Sequence, residues 1–579
     1  MDNLEAADVL REIAELLEIA GESTFRIRAY ERAAQVIRSL PRDINSLDRK
    51  GELTEIPGIG KGIAAKLHEF LTTGEMEYFE ELKAKIPESL AELTHVSGLG
   101  PKKAKLVYDE LGIAGLDDLR EAVSEKKLRS LPGMGAKTEA NIARGLELLE
   151  RSRGRLLLNE AVPAAEIFID YLKGEPGVGA LEAAGSLRRR QETVGDIDLL
   201  CAADDPADVA ERFCSHPEVE LVTARGEKKC SIVLHSGLQI DLRLVWPGEY
   251  GAALQYFTGS KAHNIRVREI AVKRGLKLSE YGVFDVSNGR RLAAATEAEV
   301  YGALGLPWID PALREDRGEL EAARIGALPG LIRLEDIKGD LHVHTVASDG
   351  QSTLREMVDF ARSLGYAYIA VSDHALKLRV AGGLSEAEFE EQWREVDALN
   401  DELTDFRILK AVELNIDNDG EVDFPADFLV RYDVTTASIH GGFGQDRARL
   451  TERMVRAVRH PHIDIIGHPT GRVLGRREPY DIDLTAVFEA AAESGTALEL
   501  NAFPDRLDLN DGYLMEAKKV GCRFAVNTDA HHSGQLTYMR YGIDIARRGW
   551  LEPDNVINTF PLPRLKAWLT GLRTSRPPF

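Results

Sequence analysis

Apolar side chains recur every three to four residues over 4–19 and 24–39, the spacing of helices that bury one face, so the chain is predicted to begin all-helical. A further helix is predicted over 157–173. Short runs rich in Val, Ile and Leu follow at 197–201, 219–223, 230–234 and 238–245, and read as strands of a small mixed sheet. Helical spacing with some short strands returns over 246–315. Beyond "RLEDIKGD" (333–340), the strand-like runs "YAYIAVSDH", "DVTTASIH", "IDIIGHP", "TALELNA" and "CRFAVNTDAH" alternate with helical stretches. That alternation predicts parallel β/α units closing into a barrel. With 579 residues the chain exceeds one core, and three to five units are expected.

Three related turns punctuate the helical start: "IPGIGKGIAAKL" (56–67), "VSGLGPKKAKLV" (96–107) and "LPGMGAKTEANI" (131–142). Each joins a short apolar segment to a helix through Gly-x-Gly: Gly58 and Gly60, Gly98 and Gly100, Gly133 and Gly135. Glycine lets successive backbone N–H groups at a helix start close on a phosphate, assisted by the helix dipole. Lysines follow two of the turns, Lys61 after the first and Lys102 and Lys103 after the second. The motifs resemble helix-hairpin-helix elements, which hold a DNA backbone without reading sequence.

Composition changes this picture little. Hydrophobic content of 44% and charged content of 29% belong to an ordinary folded protein and exclude dominant disorder. A net charge of -22 argues against nucleic-acid binding by bulk attraction, although basic residues cluster at 186–190, 225–229 and 266–274. The acidic, amphipathic start lacks a signal-peptide pattern and no apolar run reaches membrane-spanning length, so a cytoplasmic protein without membrane contact is expected. Four cysteines without CxxC spacing read as reduced thiols.

Two carboxylates in "GDIDLL" (195–200) open an apolar strand. Side chains at i and i+2 share a face, so Asp196 and Asp198 project together and repel unless a cation lies between them. "QIDLRLV" adds Asp241 from another apolar strand, and three acids on neighbouring strands suit two Mg²⁺ or Mn²⁺ ions of a phosphoryl-transfer site. Upstream, Gly185 allows close backbone approach, while the Ser186 hydroxyl and the Arg189 guanidinium fork suit a triphosphate.

The stretches "GSLRRRQETVGDIDLL", "IDLRLV" and "QYFTGSKAHNIRVREIA" resemble the family X DNA polymerases, the group that contains DNA polymerase beta, over the chain up to about residue 315. The resemblance implies that Asp196, Asp198 and Asp241 bind metal, with Asp241 drawing the proton from the primer 3′-OH. It makes Ser186 and Arg189 triphosphate ligands and packs Tyr256 and Phe257, before Gly259, on the nucleotide sugar. Asn264 and Arg268 would contact base and template edges. Lys261 stands where the beta enzyme is acidic, and joins the expected nucleotide-binding set. Lys66 aligns with the Schiff-base lysine of the lyase pocket, but Arg32 and Gly62 stand where that pocket has other lysines, and the reading taken for Lys66 is phosphate contact.

Nine of the 14 histidines fall between 342 and 532. His342, His344, Asp349, His374, Glu413, His440, His468, Asp529 and His531 cluster at predicted strand ends, which converge on one rim of a parallel barrel. Mixed imidazoles and carboxylates suit a cluster of two to three Mn²⁺, Zn²⁺ or Fe²⁺ ions. His460, His462 and His532 are expected to be structural. Arg472, Arg476 and Arg477 either steer a phosphate backbone or lie in a solvated loop.

The nine-residue set resembles the PHP (polymerase and histidinol phosphatase) domain. In family X enzymes this implies 3′-to-5′ exonuclease action, with abasic-site cleavage or 3′-phosphate removal as further activities. The expected architecture is therefore multidomain. A helical DNA-binding domain (1–85) and helix-hairpin-helix fingers (86–150) precede an α+β nucleotidyltransferase palm (151–245) and thumb (246–317). A linker (318–337) leads to a distorted (β/α)7 PHP barrel (338–579). The expected function is gap filling in base excision repair, on gapped or primed DNA with dNTPs, by a monomer. A small-molecule nucleotidyltransferase fused to a phosphatase would need no duplex clamp, and an idle DNA-end scaffold would need neither metal set.

Overall fold

The computed structural model describes residues 3–576 except 39–43, 57, 75, 87–89, 91–92, 95, 97, 153–154, 176 and 379–380. The chain divides into two compact units, residues 1–153 with 473–478, and 154–472 with 479–579. Residue 39 of the predicted second helix lies outside the described residues.

The first unit is helical from Asn3–Ala20 and Thr24–Arg38 through to Ala136–Ser152. One continuous apolar core, including Leu10, Ile37, Leu67, Leu99, Val107 and Ile142, crosses the expected boundary at residue 85. The three Gly turns are built alike. The first glycine of each takes a left-handed φ (Gly58 87°, Gly98 89°, Gly133 73°) that side chains resist. The residue between the glycines, Ile59, Leu99 or Met134, is buried and anchors the turn in the core. Gly60 and Gly100 cap the helices Lys61–Thr73 and Pro101–Leu111. Lys61 and Lys102 are exposed at those helix starts, where backbone N–H groups lack intrahelical partners.

In the second unit, β1 (Leu156–Leu157) pairs with β3 (Thr193–Val194). A five-stranded sheet has the order β2-β4-β7-β6-β5, made of β2 (Val178–Ala183), β4 (Ile197–Ala203), β5 (Val219–Arg225), β6 (Lys229–Leu234) and β7 (Gln239–Val245). Its central β4–β7 pair is parallel and the other pairs are antiparallel. The helices Leu158–Leu172 and Pro206–Cys214 pack together through an edge-on Phe168–Phe213 contact at 5.6 Å. Next, β8 (Leu276–Ser279), β9 (Gly282–Asp285) and β10 (Arg291–Ala293) form a small antiparallel sheet. It shares a core with the helices Lys261–Lys273 and Glu297–Ala303.

The stretch 318–337, expected as a linker, instead carries the helix Glu319–Arg324, whose Leu320 and Ala323 join that core. Buried Glu319 takes a 2.6 Å contact from His263 Nδ1, tying the segment to the helix Lys261–Lys273.

Seven strands complete the unit: β11 (Gly339–Val343), β12 (Tyr368–Val371), β13 (Arg407–Asn415), β14 (Val434–Ser438), β15 (Ile465–Ile466), β16 (Ala497–Asn501) and β17 (Phe524–Asn527). They pair in sequence order, all parallel. Every residue of these strands except the Arg407, Lys410 and Asn415 positions of β13 is buried, as both faces of a parallel sheet must be. His344 N donates to Ala530 O at 2.8 Å and brings the first strand's end against the last, nearly closing the barrel. Among the described residues no helix is long and apolar enough to cross a membrane, and the four cysteines are free.

Candidate metal centres

Asp198 on β4 and Asp241 on β7 stand directly opposite in register, with Asp196 just before β4. The three carboxylates offer oxygens within 4.8 Å of one another. Burial, followed by the Asp196 charge, pushes the Asp198 carboxyl up to about 6. Burial also opposes ionisation of Asp241, but hydrogen bonds from Lys229, Ser231 and Gln239 outweigh it and hold that carboxyl below its ordinary range. Lys229 Nζ lies 2.5 Å from Asp241 Oδ2. A concentration of negative charge from two adjacent strands, with one of the three carboxyls resisting ionisation, fits divalent cations.

Above this triad Gly185 has φ 58°, and a Cβ there would meet Asp198 Oδ2 at 2.5 Å. Ala184 N donates to Asp198 O at 2.7 Å, so the turn that presents Ser186 is fastened to the metal-site strand. Arg188 makes a bidentate pair with Glu297, 2.9 Å for each bond. Arg189 donates to Glu315 at 2.9 Å and to Thr258 O at 2.5 Å. Its guanidinium lies against Gly259, where a Cβ would meet Nη1 at 3.1 Å.

Tyr256 and Phe257 end the helix Tyr250–Thr258 with their rings edge-on at 5.0 Å. Asn264 donates to Tyr256 O at 2.7 Å and accepts from Gln255 at 2.8 Å, while Arg268 stacks over Tyr256 at 5.0 Å. Lys261 is exposed at the start of its helix. In the first unit, Lys66 Nζ sits 4.6 Å from the centre of the Tyr78 ring and 3.4 Å from Gly62 O.

At the barrel rim the structure brings all nine predicted residues together. His342 and His344 come from β11 and its end, and Glu413 from β13; His374, His440, His468 and the Asp529–His531 pair follow β12, β14, β15 and β17. Glu413 oxygens lie 2.9 Å from His374 Nδ1, 3.2 Å from His440 Nε2 and 3.1 Å from His468 Nε2. Asp529 Oδ1 lies 3.2 Å from His344 Nε2 and 3.7 Å from His342 Nε2. Asp349 lies 3.4 Å from both His374 Nε2 and His531 Nε2.

Ligand atoms about 2.0–2.2 Å from one tetrahedral ion stand about 3.3–3.6 Å apart, so these separations fit shared ions. The buried nitrogens His342 Nε2 and His344 Nδ1 and Nε2 have no hydrogen-bond partner, a cost that coordination relieves. Three ligand groups emerge: His344, Asp349, His374 and His531; His342, His344 and Asp529; His374, Glu413 and His440. His460, His462 and His532 belong to none of them.

Sequence reasoning missed Glu499 on β16. Its carboxylate accepts His342 Nδ1 at 2.7 Å, Asn527 Nδ2 at 2.9 Å and His468 N at 2.7 Å. A carboxylate on Nδ1 fixes the tautomer that presents Nε2 to an ion. The signal was present, because Glu499 interrupts an apolar run just as Asp241 does. Arg472 is a correction: it is neither solvated nor free to steer DNA, being buried and paired bidentately with Glu192 at 3.2 and 2.7 Å.

The two centres define a class: a nucleotidyltransferase joined to a polymetal hydrolase barrel. The helix-hairpin-helix domain family matches residues 1–76, the SAM-like helix-hairpin-helix tandem 90–147, the DNA polymerase beta thumb 253–315 and the PHP domain 340–502. The chain is 39% identical to the "DNA polymerase/3'-5' exonuclease PolX" of Bacillus subtilis (strain 168), over 97% of this chain and 98% of that one. It is 26% identical to DNA polymerase lambda of Rattus norvegicus over 54% of this chain and 56% of that one. A probable phosphatase of Thermoanaerobacter sp. (strain X514) is 30% identical over 40% of this chain and 93% of its own length. The chain belongs to the family X DNA polymerases that carry a PHP domain.

Proposed function

We propose that the protein fills short gaps in DNA during base excision repair, adding dNTPs at a primer end from the palm site and removing 3′-terminal nucleotides at the barrel site. The observation that carries the reading is the in-register Asp198–Asp241 pair, with Asp196 completing a carboxylate cluster directly beneath the Gly185–Ser186 turn. Divalent ions, Mg²⁺ or Mn²⁺ at the palm and two to three of Mn²⁺, Zn²⁺ or Fe²⁺ at the barrel, supply charge stabilisation to attacking and leaving oxygens.

This chain's own residues do the rest. Ser186 and Arg189 bind the triphosphate, Tyr256 and Phe257 pack on the sugar, and Asn264 and Arg268 meet base edges. Asp241 accepts the proton of the primer 3′-OH. At the barrel, Glu499 orients His342, and the nine rim residues, six imidazoles and three carboxylates, would hold the ions that act on the scissile phosphate. The Gly turns at 58–60, 98–100 and 133–135 grip the DNA backbone, and Lys66 contributes a phosphate contact. The protein acts as a monomer in the cytoplasm.

Likeness to a probable phosphatase over 40% of the chain favours 3′-phosphate removal as a second barrel activity. The test offers a one-nucleotide gap with dNTPs and Mg²⁺ or Mn²⁺ to the wild type, Asp241→Ala and His342→Ala. The first substitution is expected to abolish extension alone and the second degradation alone. Extension by Asp241→Ala at the wild-type rate overturns the polymerase reading.

A further inference from the structure

The segment from Arg189 to Glu192 runs between the Ser186 turn and the Asp196–Asp198 carboxylates, and it is held from outside the palm. Arg548, at the end of the barrel helix Met539–Arg548, has a side chain only 2% exposed. Its Nη1 donates to the backbone carbonyl of Arg189 at 2.7 Å and to Glu315 Oε1 at 2.9 Å, and its Nη2 donates to Asp511 at 2.6 Å. Glu315 Oε1 also accepts from Arg189 Nε at 2.9 Å and from Gln191 Nε2 at 2.6 Å.

We propose that Arg548 of the PHP barrel is a positioning residue for nucleotide binding at the palm site, because it fixes the backbone of Arg189 and shares the Glu315 charge that Arg189 would otherwise neutralise with fewer partners. The inference rests on the polymerase reading above.

The physical argument has two parts. A guanidinium this deeply buried is tolerated where its donors find acceptors, and three of those acceptors define one point at the palm–barrel junction. Fixing the Arg189 carbonyl sets where its side chain starts, so a loosened anchor displaces the guanidinium from the triphosphate. Removing Arg548 also strips Glu315 of one cation. Glu315 then holds Arg189 more tightly and withdraws it from a bound nucleotide. Both effects weaken ground-state binding of the triphosphate, so they act on KM for dNTP rather than on the chemical step. A lesion that only unfolded part of the sample would lower the apparent kcat and leave KM where it was.

The experiment uses the full chain, with single-nucleotide incorporation on a one-nucleotide gap followed across dNTP concentration. Arg548→Ala is expected to raise KM for dNTP about 10-fold with kcat changed less than about 2-fold, the signature of lost uniform binding. Arg548→Lys keeps a cation against Asp511 and Glu315 without the fork that also reaches the Arg189 carbonyl, and should give an intermediate KM. Glu315→Gln in the Arg548→Ala background should recover part of the loss by releasing Arg189. A wild-type KM in Arg548→Ala, or a fall in kcat alone, overturns the inference while leaving the polymerase reading intact. If Arg548→Ala does not fold, a wild-type KM in Arg548→Lys overturns it equally. Absence of incorporation by the wild type itself overturns the polymerase reading, and the positioning role with it.

Discussion

Gly185 and Asp198 approach so closely that a single methyl group on the glycine would stand 2.5 Å from the aspartate's Oδ2. Glycine is doubly required, since its φ of 58° also disfavours any side chain. Gly185→Ala must therefore move either the Ser186 turn or the Asp198 carboxylate of the proposed palm site. A displacement near 1 Å at a reacting centre costs about 100-fold. The expected result is a drop of about that size in kcat/KM for nucleotide incorporation, with barrel exonuclease activity on the same preparation unchanged.

Glu499 makes the corresponding prediction for the barrel. Its bond to His342 Nδ1 at 2.7 Å would orient that imidazole as a metal ligand. Glu499→Gln keeps the size of the side chain but removes the charge that keeps Nδ1 protonated. Loss of such an outer partner weakens metal affinity about 10- to 100-fold. The check is a titration of exonuclease activity with Mn²⁺ after chelation, together with metal content by elemental analysis. The midpoint should shift by that factor while nucleotide incorporation is unaffected.

The contrast between these two residues shows where sequence pattern reaches and where it stops. Asp196, Asp198, Asp241 and the nine rim residues stand out because acids and histidines at the ends of apolar strands are costly to bury without a partner. Glu499 sits in the same kind of run, "ALELN", yet its partner His342 is 157 positions away, so its role appears only once β11 and β16 lie across one barrel. The Asp198–Asp241 register was likewise invisible, because strand order β2-β4-β7-β6-β5 is settled by packing. Arg472 lies in a loop, but Glu192, 280 positions earlier, buries and pairs it. The 318–337 stretch carries only a short helix, and the partner that ties its buried Glu319 to the rest of the fold is the distant His263. Local periodicity encodes elements and ligand-rich strand ends. Long-range charge pairs leave no periodic trace.

Glu297 ties palm to thumb and gives a prediction in pH. Burial opposes its charge, but Arg314 and Arg188 together overcome that and depress its carboxyl to about 2, against an ordinary value of 4.5. A depressed folded value means stability that is fully present above pH 4.5 and lost as pH falls toward 2. Glu297→Gln should cost about 3 kcal/mol near neutrality, since it leaves the fully buried Arg314 uncompensated. Urea unfolding across pH should show the gap between wild type and Glu297→Gln constant above about pH 5 and shrinking below it. A gap that widens with acid would contradict the assignment.

The Gly turns allow fold and ligand roles to be separated within a single motif. Gly58 and Gly98 have φ of 87° and 89°, so alanine there strains the backbone and should lower stability. Gly60 and Gly100 are different: their φ values are -79° and -64°, ordinary for any residue, and a Cβ at either meets nothing within 4 Å. The fold therefore does not need glycine at the second position, and alanine should cost at most about 1 kcal/mol as a weaker helix cap. A DNA phosphate approaching the exposed helix start does need it. Gly60→Ala and Gly100→Ala should leave thermal unfolding nearly unchanged while weakening binding to gapped DNA, measured by fluorescence anisotropy. Lys102→Ala should weaken binding evenly across sequences and reduce the slope of log affinity against log salt by about 1. Full-strength DNA binding by both alanine variants would show that these turns serve only to connect helices.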